Sequence, residues 1–231
     1  GAVNITSFVE SEGALAPILA PGDGETSIVP NAAFTLNGKT YLHYYAKTSD
    51  GADANKWTAS SAGFLVSEDD GKTWTKSAGT WSGTGCFVQA GFCQKDNYIY
   101  MVGSKAGRGG TGDFWLNMYV ARASTGSDFT DPAQWEYFDG TAWQSGDEQV
   151  CNIKTCCITV GCTGEPALVY NPKFNRFMMI YRSNAHGGIV YRDADAVDGY
   201  WSGEKILADD DLASGIFAPS VLEVTANGDL L

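Results

Sequence analysis

Short apolar runs separated by polar turns recur along the chain, whereas the period of about 3.6 residues that marks a helix is almost absent. The recurring unit is an apolar strand, a polar turn and a second strand rich in aromatic residues. In the first unit, residues 31–36 and 39–46 flank Asn37-Gly38. Asn-Gly between two strands is a strong hairpin signal because both residues tolerate positive φ. The pattern therefore predicts an all-β protein built from hairpins.

The same unit recurs along the sequence, with first strands that start near residues 31, 86, 165 and 217. A further pair of strands follows each of the first three hairpins, so each complete unit has four antiparallel strands. Repeats of this kind are typical of β-propeller blades. The alternative is a β-sandwich of meandering hairpins, which would not restart the same strand order each time. We predict one propeller domain with blades near 31–76, 86–140 and 163–208, and the start of another at 216–231.

The number of blades predicts that this chain is a piece of a longer propeller. Three complete blades and one hairpin fall short of the four or more blades that a closed ring typically needs. An open ring would expose the apolar face of a blade, which favours aggregation. We therefore expect the ring to be completed by another segment of the same gene product or by another chain.

Residues 67–74 match the pattern Ser-x-Asp-x-Gly-x-Thr-Trp, the Asp-box of sialidase-like propellers, at every fixed position. The role of this motif is structural. Asp69 is expected to accept backbone N–H bonds across the turn, Gly71 to supply a left-handed conformation, and Trp74 to fill a gap between strands. The motif supports a propeller hairpin and does not make Asp69 a catalytic residue.

The net charge of −12 excludes some partners. Nucleic-acid binding depends on Lys and Arg side chains that neutralise phosphates, and anionic membranes attract basic segments. No apolar run approaches the roughly 20 residues needed to span a bilayer. We therefore expect neither a nucleic acid nor a membrane as partner.

The six cysteines are even in number, which favours disulfides. A zinc site is the alternative, but adjacent Cys156 and Cys157 cannot easily serve one tetrahedron and the chain has only two histidines. The sequence predicts a local Cys86–Cys93 bridge, two further bridges of open connectivity among the remaining four, and no metal site. These four are Cys151, Cys156, Cys157 and Cys162. Together with the N-glycosylation sequon at Asn4, the disulfides indicate a secreted protein.

Several short segments resemble the domain-of-unknown-function family 4185 (DUF4185), over roughly residues 25–225. They are residues 28–46, Trp57, residues 67–74, Gly107-Arg108-Gly109, Gly164-Glu165-Pro166 with Tyr181, and residues 194–202. Members of this family resemble five-bladed propellers, and some belong to glycoside hydrolase family 183, which cleaves D-arabinan internally. The resemblance implies a secreted carbohydrate-active propeller. We expect an endo-acting glycoside hydrolase on an arabinan-like furanose polysaccharide.

One departure from the family supports a second hypothesis. The resemblance places catalytic acids in Thr-Asp and Gly-Asp-Thr-type motifs upstream of the Pro30 region, and this chain has neither motif there. Residues 22–25 form a glycine-flanked loop instead. The missing acids and the many aromatic residues favour a non-catalytic, lectin-like glycan-binding propeller as the alternative.

Hydrolysis of a glycosidic bond requires two carboxyl groups, and Glu165 is the best-placed acid in this chain. It begins the first strand of its blade, and Pro166 after it is expected to hold it in an extended conformation. The alternative is that Glu165 pairs with Arg182 or Arg108 near the propeller axis.

Arg108, His43, Trp57 and Arg182 are the candidate substrate-binding residues. Arg108 lies in a glycine-rich loop that suits either sugar binding or a solvated surface; because no Gly-Lys-Ser/Thr follows, we expect no nucleotide or other cofactor. His43 lies mid-strand among tyrosines, where core packing is the alternative to a ligand contact. Trp57 is either a platform on which a sugar stacks or a residue packed between blades.

Overall fold

The structure is a computed structural model. It describes residues 10–11, 14–15, 18–50, 56–107, 116–149, 157–162, 164–183, 185–209, 217–221 and 224–230. In this part of the chain the structure is almost entirely β, apart from a 3-10 turn at Pro132–Gln134. A search of the described residues finds no helix long and apolar enough to cross a membrane. A short hairpin of β1 (Glu10–Ser11) and β2 (Ala14–Leu15) comes before the main sheets.

The first main sheet has four antiparallel strands in sequence order. They are β3 (Ser27–Leu36), β4 (Lys39–Ser49), β5 (Thr58–Ser67) and β6 (Thr75–Ser82). At the β3–β4 turn, Asn37 and Gly38 have φ values of 51° and 77°, as the Asn-Gly hairpin signal predicts.

The second sheet also runs in sequence order through five strands and takes one more strand at its edge. The five are β7 (Gln89–Lys95), β8 (Tyr98–Ser104), β9 (Leu116–Ser124), β10 (Trp135–Phe138) and β11 (Trp143–Ser145). β12 (Thr159–Cys162) pairs with the beginning of β9, whereas β10 pairs with its end. The sheet therefore extends beyond residue 140, where the sequence repeat ends.

The third sheet again has four antiparallel strands in sequence order. They are β13 (Ala167–Asn171), β14 (Arg176–Ser183), β15 (Gly188–Ala194) and β16 (Lys205–Asp209). Beyond this sheet, Val224 and Leu230 form an isolated antiparallel bridge.

The first strands of the three sheets lie side by side, with β7 between β3 and β13. The approach of β7 to β13 depends on Gly91, because a Cβ at that position would lie 2.8 Å from the backbone N of Leu168. Successive four-stranded antiparallel sheets with adjacent inner strands are the blades of a β-propeller. The predicted fold class is confirmed, and the described sheets do not close into a ring.

Two apolar clusters fill the spaces between neighbouring sheets. The first lies between the first and second sheets and is rich in aromatic residues, among them Phe64, Trp81 and Trp135. Trp81 Nε1 donates a 2.9 Å hydrogen bond to the Tyr137 hydroxyl, which satisfies the buried indole. The second cluster is more aliphatic and joins the second sheet to the third. Inter-sheet packing therefore fixes where the inner strands begin relative to one another.

The turn over residues 67–74 has the hydrogen bonds that its residue types predict. Asp69 Oδ1 accepts from the Thr73 N–H at 2.8 Å, Gly71 has a φ of 86°, and Trp74 Nε1 donates to the Gly71 carbonyl at 2.9 Å. Hydrogen bonds from the backbone and hydroxyl of Thr73 lower the pKa of Asp69 to about 2. Asp69 therefore acts as a structural acceptor in this turn.

The predicted Cys86–Cys93 bridge is wrong, because no disulfide joins these residues. Cys93 lies within β7, Cys86 comes before that strand begins, and the two pack against different apolar clusters. An extended strand rises about 3.3 Å per residue, so the four steps from Gln89 to Cys93 carry the chain about 13 Å, well beyond the roughly 7 Å between Cα atoms that a disulfide allows. Cys157 is half-buried against the first cluster. Cys151, Cys156 and the Cys162 side chain lie outside the described residues, so pairing within that group stays a prediction.

Candidate functional site

A cleft of about 230 Å³ lies where the inner strands of the first and third sheets begin. It is called the cleft from here on. Five segments of the chain line it: Val29, Pro30, Asn31, Tyr45, Lys47, Trp57, Glu165, Pro166, Phe217, Ala218 and Pro219. The structure thus brings together two of the residues predicted from sequence, Glu165 and Trp57.

Glu165 lies two residues before β13, and its backbone conformation differs from the sequence expectation. The residue has a φ of 52°, in the left-handed region, although a residue before proline normally adopts an extended conformation. The predicted extended conformation is therefore wrong. Ala218, which also lines the cleft and also precedes a proline, has the same φ of 52°. Such conformations cost on the order of 1–3 kcal/mol each and cluster at functional sites.

Gln89 holds the backbone at Glu165. The Glu165 N–H donates to Gln89 Oε1 at 3.0 Å. Gln89 is fully buried at the start of β7, and its Nε2 donates to the carbonyls of Lys105 and Gly107 at 2.7 and 2.6 Å. One amide therefore joins the Glu165 turn to the loop that follows β8. Arg108, the next residue in that loop, lies outside the described residues.

Asn31 makes the corresponding connection between the first and second sheets. A β-bulge shifts the register between Pro30 and Ala32, and Asn31 is the extra residue. Its Nδ2 donates to the Val88 carbonyl at 2.9 Å and lies 3.0 Å from His43 Nδ1. The bulge therefore directs the Asn31 amide toward the neighbouring sheet at the edge of the cleft.

His43 lies beneath Asn31 and is fully buried. Its ring packs against Phe64, Trp81 and Phe92, at centroid distances of 5.2–5.6 Å. Burial lowers the pKa of His43 to about 3, so the ring stays neutral near pH 7. This corrects the expectation that His43 itself contacts substrate, since no part of it is accessible.

Trp57 forms an aromatic wall of the cleft together with Tyr45. The two rings stack at a centroid distance of 4.5 Å and an interplanar angle of 7°. Lys47 Nζ lies 5.8 Å from the Trp57 ring centroid and forms an ion pair with Asp50. Because Trp57 is only 4% exposed, the wall presents a small part of the ring to a ligand.

Of the remaining predicted site residues, one lies in the described part of the chain but away from this cluster. Arg182 is half-buried on β14 and does not line the cleft. The glycosylation candidate Asn4 lies outside the described residues. Over the described part of the chain, no group of three or more His, Cys, Asp or Glu residues is arranged to hold a metal ion.

Sequence reasoning missed Asn31, Gln89 and Lys47. Asn31, Gln89 and Glu165 stand at different distances from the starts of their inner strands, so aligning the repeats by strand start would not have placed them together. Lys47 gives no signal either, because it lies near the end of β4 among other polar residues.

A second concave region, which we call the groove, lies between the second and third sheets and measures about 460 Å³. It is lined by Phe138, Gly140, Cys157, Ile158, Thr159, Arg192, Asp198, Gly199, Tyr200 and Trp201. Tyr200 is 90% exposed. Asp198 Oδ2 accepts from Trp143 Nε1 at 3.0 Å, and Arg192 Nε donates to the Tyr181 hydroxyl at 2.8 Å.

Comparison with known families decides the relationship of the chain. The profile of a family described as "Domain of unknown function (DUF4185)" matches residues 2–230. The chain belongs to the DUF4185 family. No curated protein sequence matches it.

Solved structures similar to this DUF4185 chain include glycoside hydrolases. Zg3597, a family 117 glycoside hydrolase from the marine bacterium Zobellia galactanivorans, is 16% identical with a TM-score of 0.51, covering 82% of this chain and 59% of its own. A protein from Bacteroides ovatus ATCC 8483 is 15% identical with a TM-score of 0.52, covering 79% of this chain and 45% of its own. The chain thus spans about half the length of these proteins. Likeness at this level of identity shows the shared fold.

Proposed function

We propose that this chain belongs to a secreted carbohydrate-active enzyme, an endo-acting glycoside hydrolase that cleaves an arabinan-like furanose polysaccharide. The observation that carries the proposal is the position of Glu165. It lies two residues before an inner strand, in a cleft with an aromatic wall, and Gln89 holds its backbone in a left-handed conformation. Pockets that combine apolar walls with a few fixed polar groups are typical of ligand sites.

The proposed role of Glu165 is general acid catalysis. Its carboxyl would donate a proton to the glycosidic oxygen as the bond from that oxygen to the anomeric carbon breaks. A second carboxylate would take a proton from the attacking water or attack the sugar directly. Rigid placement of the Glu165 backbone favours this chemistry, because proton transfer requires the acid within hydrogen-bond reach of the oxygen.

Other observations support parts of the proposal. The likeness to a family 117 glycoside hydrolase supports it at the level of fold. The hydrogen bonds of Asp69 and Trp74 support the interpretation of residues 67–74 as an Asp-box. The choice of arabinan rests on the family resemblance, and secretion and glycosylation rest on the Asn4 sequon.

One observation favours glycan binding without cleavage as the second candidate. Among the described residues that line the cleft, Glu165 is the one carboxylate, whereas hydrolysis requires two. A lectin-like site needs only an aromatic surface and fixed polar groups.

The test measures new reducing ends after incubation of the full chain with arabinan, arabinogalactan, xylan and mannan. We expect release from arabinan, and Glu165→Gln is expected to lower kcat by about 10²–10⁴-fold because general acid catalysis contributes a factor of that size. Glu136→Gln is the matched control, since Glu136 lies on β10 in an ion pair with Arg122. Its activity should stay at the wild-type level.

Three outcomes decide between the candidates. Equal activity of wild-type and Glu165→Gln would contradict the assignment of Glu165. Binding of arabinan without cleavage would favour the lectin-like protein. If a different polymer is cleaved and Glu165→Gln loses that activity, the assignment as a hydrolase stands and only the proposed substrate changes.

A further inference from the structure

His43 lacks one hydrogen-bond partner that its burial would normally require. Within the described residues its Nε2 is buried without a partner, and a buried unsatisfied polar group costs about 1–3 kcal/mol. A phenylalanine would pack among the same rings without this cost. The ring nitrogens therefore need an explanation beyond packing.

The hydrogen bonds of Asn31 fix both its own orientation and the tautomer of His43. The Val88 carbonyl only accepts, so the Asn31 atom 2.9 Å from it must be Nδ2 rather than Oδ1. The second Nδ2 hydrogen then donates to His43 Nδ1, which must be unprotonated. The ring proton of the neutral imidazole consequently lies on Nε2, the atom that has no partner.

These bonds leave one polar atom of Asn31 for a ligand. Both Nδ2 hydrogens are used inside the protein, and no hydrogen bond in the described part of the chain uses Oδ1. Asn31 lines the cleft, and Oδ1 is not among the buried atoms without a partner. A fixed carbonyl oxygen of this kind accepts hydrogen bonds from hydroxyl groups.

We propose that Asn31 Oδ1 binds a hydroxyl group of a saccharide in the cleft, and that His43 is the positioning residue that holds Asn31 in the required orientation. The proposal rests on the proposed function for the class of ligand. The orientation of the amide and the tautomer of the ring do not depend on it. His43, one of the residues singled out in the sequence, thus acts on substrate through Asn31.

A second asparagine in the fold shows what a purely structural arrangement looks like. Asn171, at the end of inner strand β13, also donates from Nδ2 to a carbonyl of a distant segment, that of Gly228 at 2.8 Å. Its Oδ1, however, accepts from the Lys173 N–H at 3.2 Å. Asn171 therefore has its polar atoms paired within the chain, and Asn171→Ala is the matched control for Asn31→Ala.

The binding test measures the affinity of arabino-, xylo- and manno-oligosaccharides by calorimetry, together with urea unfolding of each variant. Asn31→Ala should weaken binding of the recognised oligosaccharide by about tenfold, the effect of one hydrogen bond at the upper end of its range. His43→Phe should weaken binding by about 3–10-fold while its urea midpoint stays equal or rises, since the orphaned N–H is gone. Asn171→Ala should lower the urea midpoint and leave the affinity unchanged.

Two further variants separate positioning from general destabilisation. His43→Asn retains an acceptor near the position of Nδ1. It should therefore bind the oligosaccharide more tightly than His43→Phe, although it leaves a cavity. In the double variant Asn31→Ala/His43→Phe, the histidine change should add nothing to the loss from Asn31→Ala, because the two residues act as one unit. Additive losses would overturn the positioning role of His43.

The structural half of the proposal has a test that needs no ligand. Nitrogen-15 NMR of the free protein should show His43 protonated at Nε2 and unprotonated at Nδ1, and protonation at Nδ1 would overturn the proposal whatever the activity. Oligosaccharide binding unaffected by Asn31→Ala would overturn the hydroxyl contact and leave the proposed function standing. Failure of every oligosaccharide to bind would overturn both the hydroxyl contact and the proposed function.

Discussion

The cleft beside Glu165 and the groove beside Tyr200 are both concave, but they use their polar groups differently. The groove is the larger, at about 460 Å³ against about 230 Å³. Its charged residues are hydrogen-bonded within the protein: Asp198 accepts from Trp143, and Arg192 donates to Tyr181. In the cleft, Asn31 is held just as firmly and still has Oδ1 available for a ligand. A functional site is therefore indicated by fixed polar atoms that remain available, and volume alone is a poor guide.

The backbone also differs between the two regions, because strained conformations occur in the cleft. Glu165 and Ala218 each have a φ of 52° before a proline, and both line the cleft. Among the described residues that line the groove, only Gly140 has a positive φ, of 95°, a conformation that glycine adopts without strain. Strained conformations persist only where surrounding structure over-determines them, and the Gln89 bond to the Glu165 N–H supplies part of that restraint.

The largest expected effect comes from Gly91, which lets β7 approach β13 closely enough for Gln89 to reach Glu165. In Gly91→Ala the new Cβ would meet the backbone of Pro166 and Leu168, and backbone cannot move aside as a flexible side chain can. We expect the free energy of unfolding in urea to fall by about 3 kcal/mol, at the upper end of the range for overpacking.

The control for Gly91→Ala is Gly203→Ala, because a Cβ at Gly203 meets nothing within 4 Å. Its unfolding free energy should change by less than about 0.5 kcal/mol, as for most surface substitutions. Equal stability of the two variants would show that the inner strands are not packed as tightly as the cleft requires.

The next effect is the pH dependence of stability contributed by His43 under the cleft. The folded protein keeps this ring neutral down to its lowered pKa of about 3, whereas the unfolded chain binds a proton near pH 6.5. The stabilisation is therefore complete above pH 6.5 and is lost progressively as pH falls toward 3. Each pH unit inside this window removes about 1.4 kcal/mol.

Urea unfolding of wild-type and His43→Phe at several pH values between 7 and 5 isolates this contribution. The difference in stability between the two proteins should grow in favour of the variant as pH falls. A constant difference would mean that His43 titrates alike in the folded and unfolded states, contrary to its burial in the aromatic cluster.

The smallest effect is the change in oligosaccharide affinity when an aromatic residue of the cleft or of the groove is replaced. Trp57→Phe reduces the ring surface in the cleft wall and should weaken oligosaccharide binding by about threefold, since aromatic contacts contribute about 0.5–1.5 kcal/mol. Tyr200→Phe, in the groove, should leave the affinity unchanged within error. A larger loss from Tyr200→Phe than from Trp57→Phe, measured by calorimetry, would move the saccharide site to the groove.

The sequence predicts local features of this fold well. The recurring apolar strands and polar turns, with Asn37-Gly38 as the clearest turn, predict the hairpins. The Asp69 turn forms the hydrogen bonds expected from its residue types. These features depend on residues close together in the chain. The local prediction of a Cys86–Cys93 disulfide was wrong because it ignored the extended stretch of β7 from Gln89 to Cys93.

The candidate site could be predicted only in part, because its network joins residues far apart in the chain. Glu165 and Trp57 were found from residue type and blade position. The bond from Asn31 to Val88 spans 57 residues, and that from Glu165 to Gln89 spans 76. These contacts depend on the packing of one sheet against the next and on a β-bulge, neither of which a single sequence reveals.

The most direct test of the central claim is a crystal structure of Glu165→Gln with an arabino-oligosaccharide bound. We predict a sugar ring in the cleft, beside Trp57, with a glycosidic oxygen within hydrogen-bond reach of residue 165 and a hydroxyl on Asn31 Oδ1. An oligosaccharide bound in the groove at Tyr200, with the cleft empty of sugar, would contradict the account.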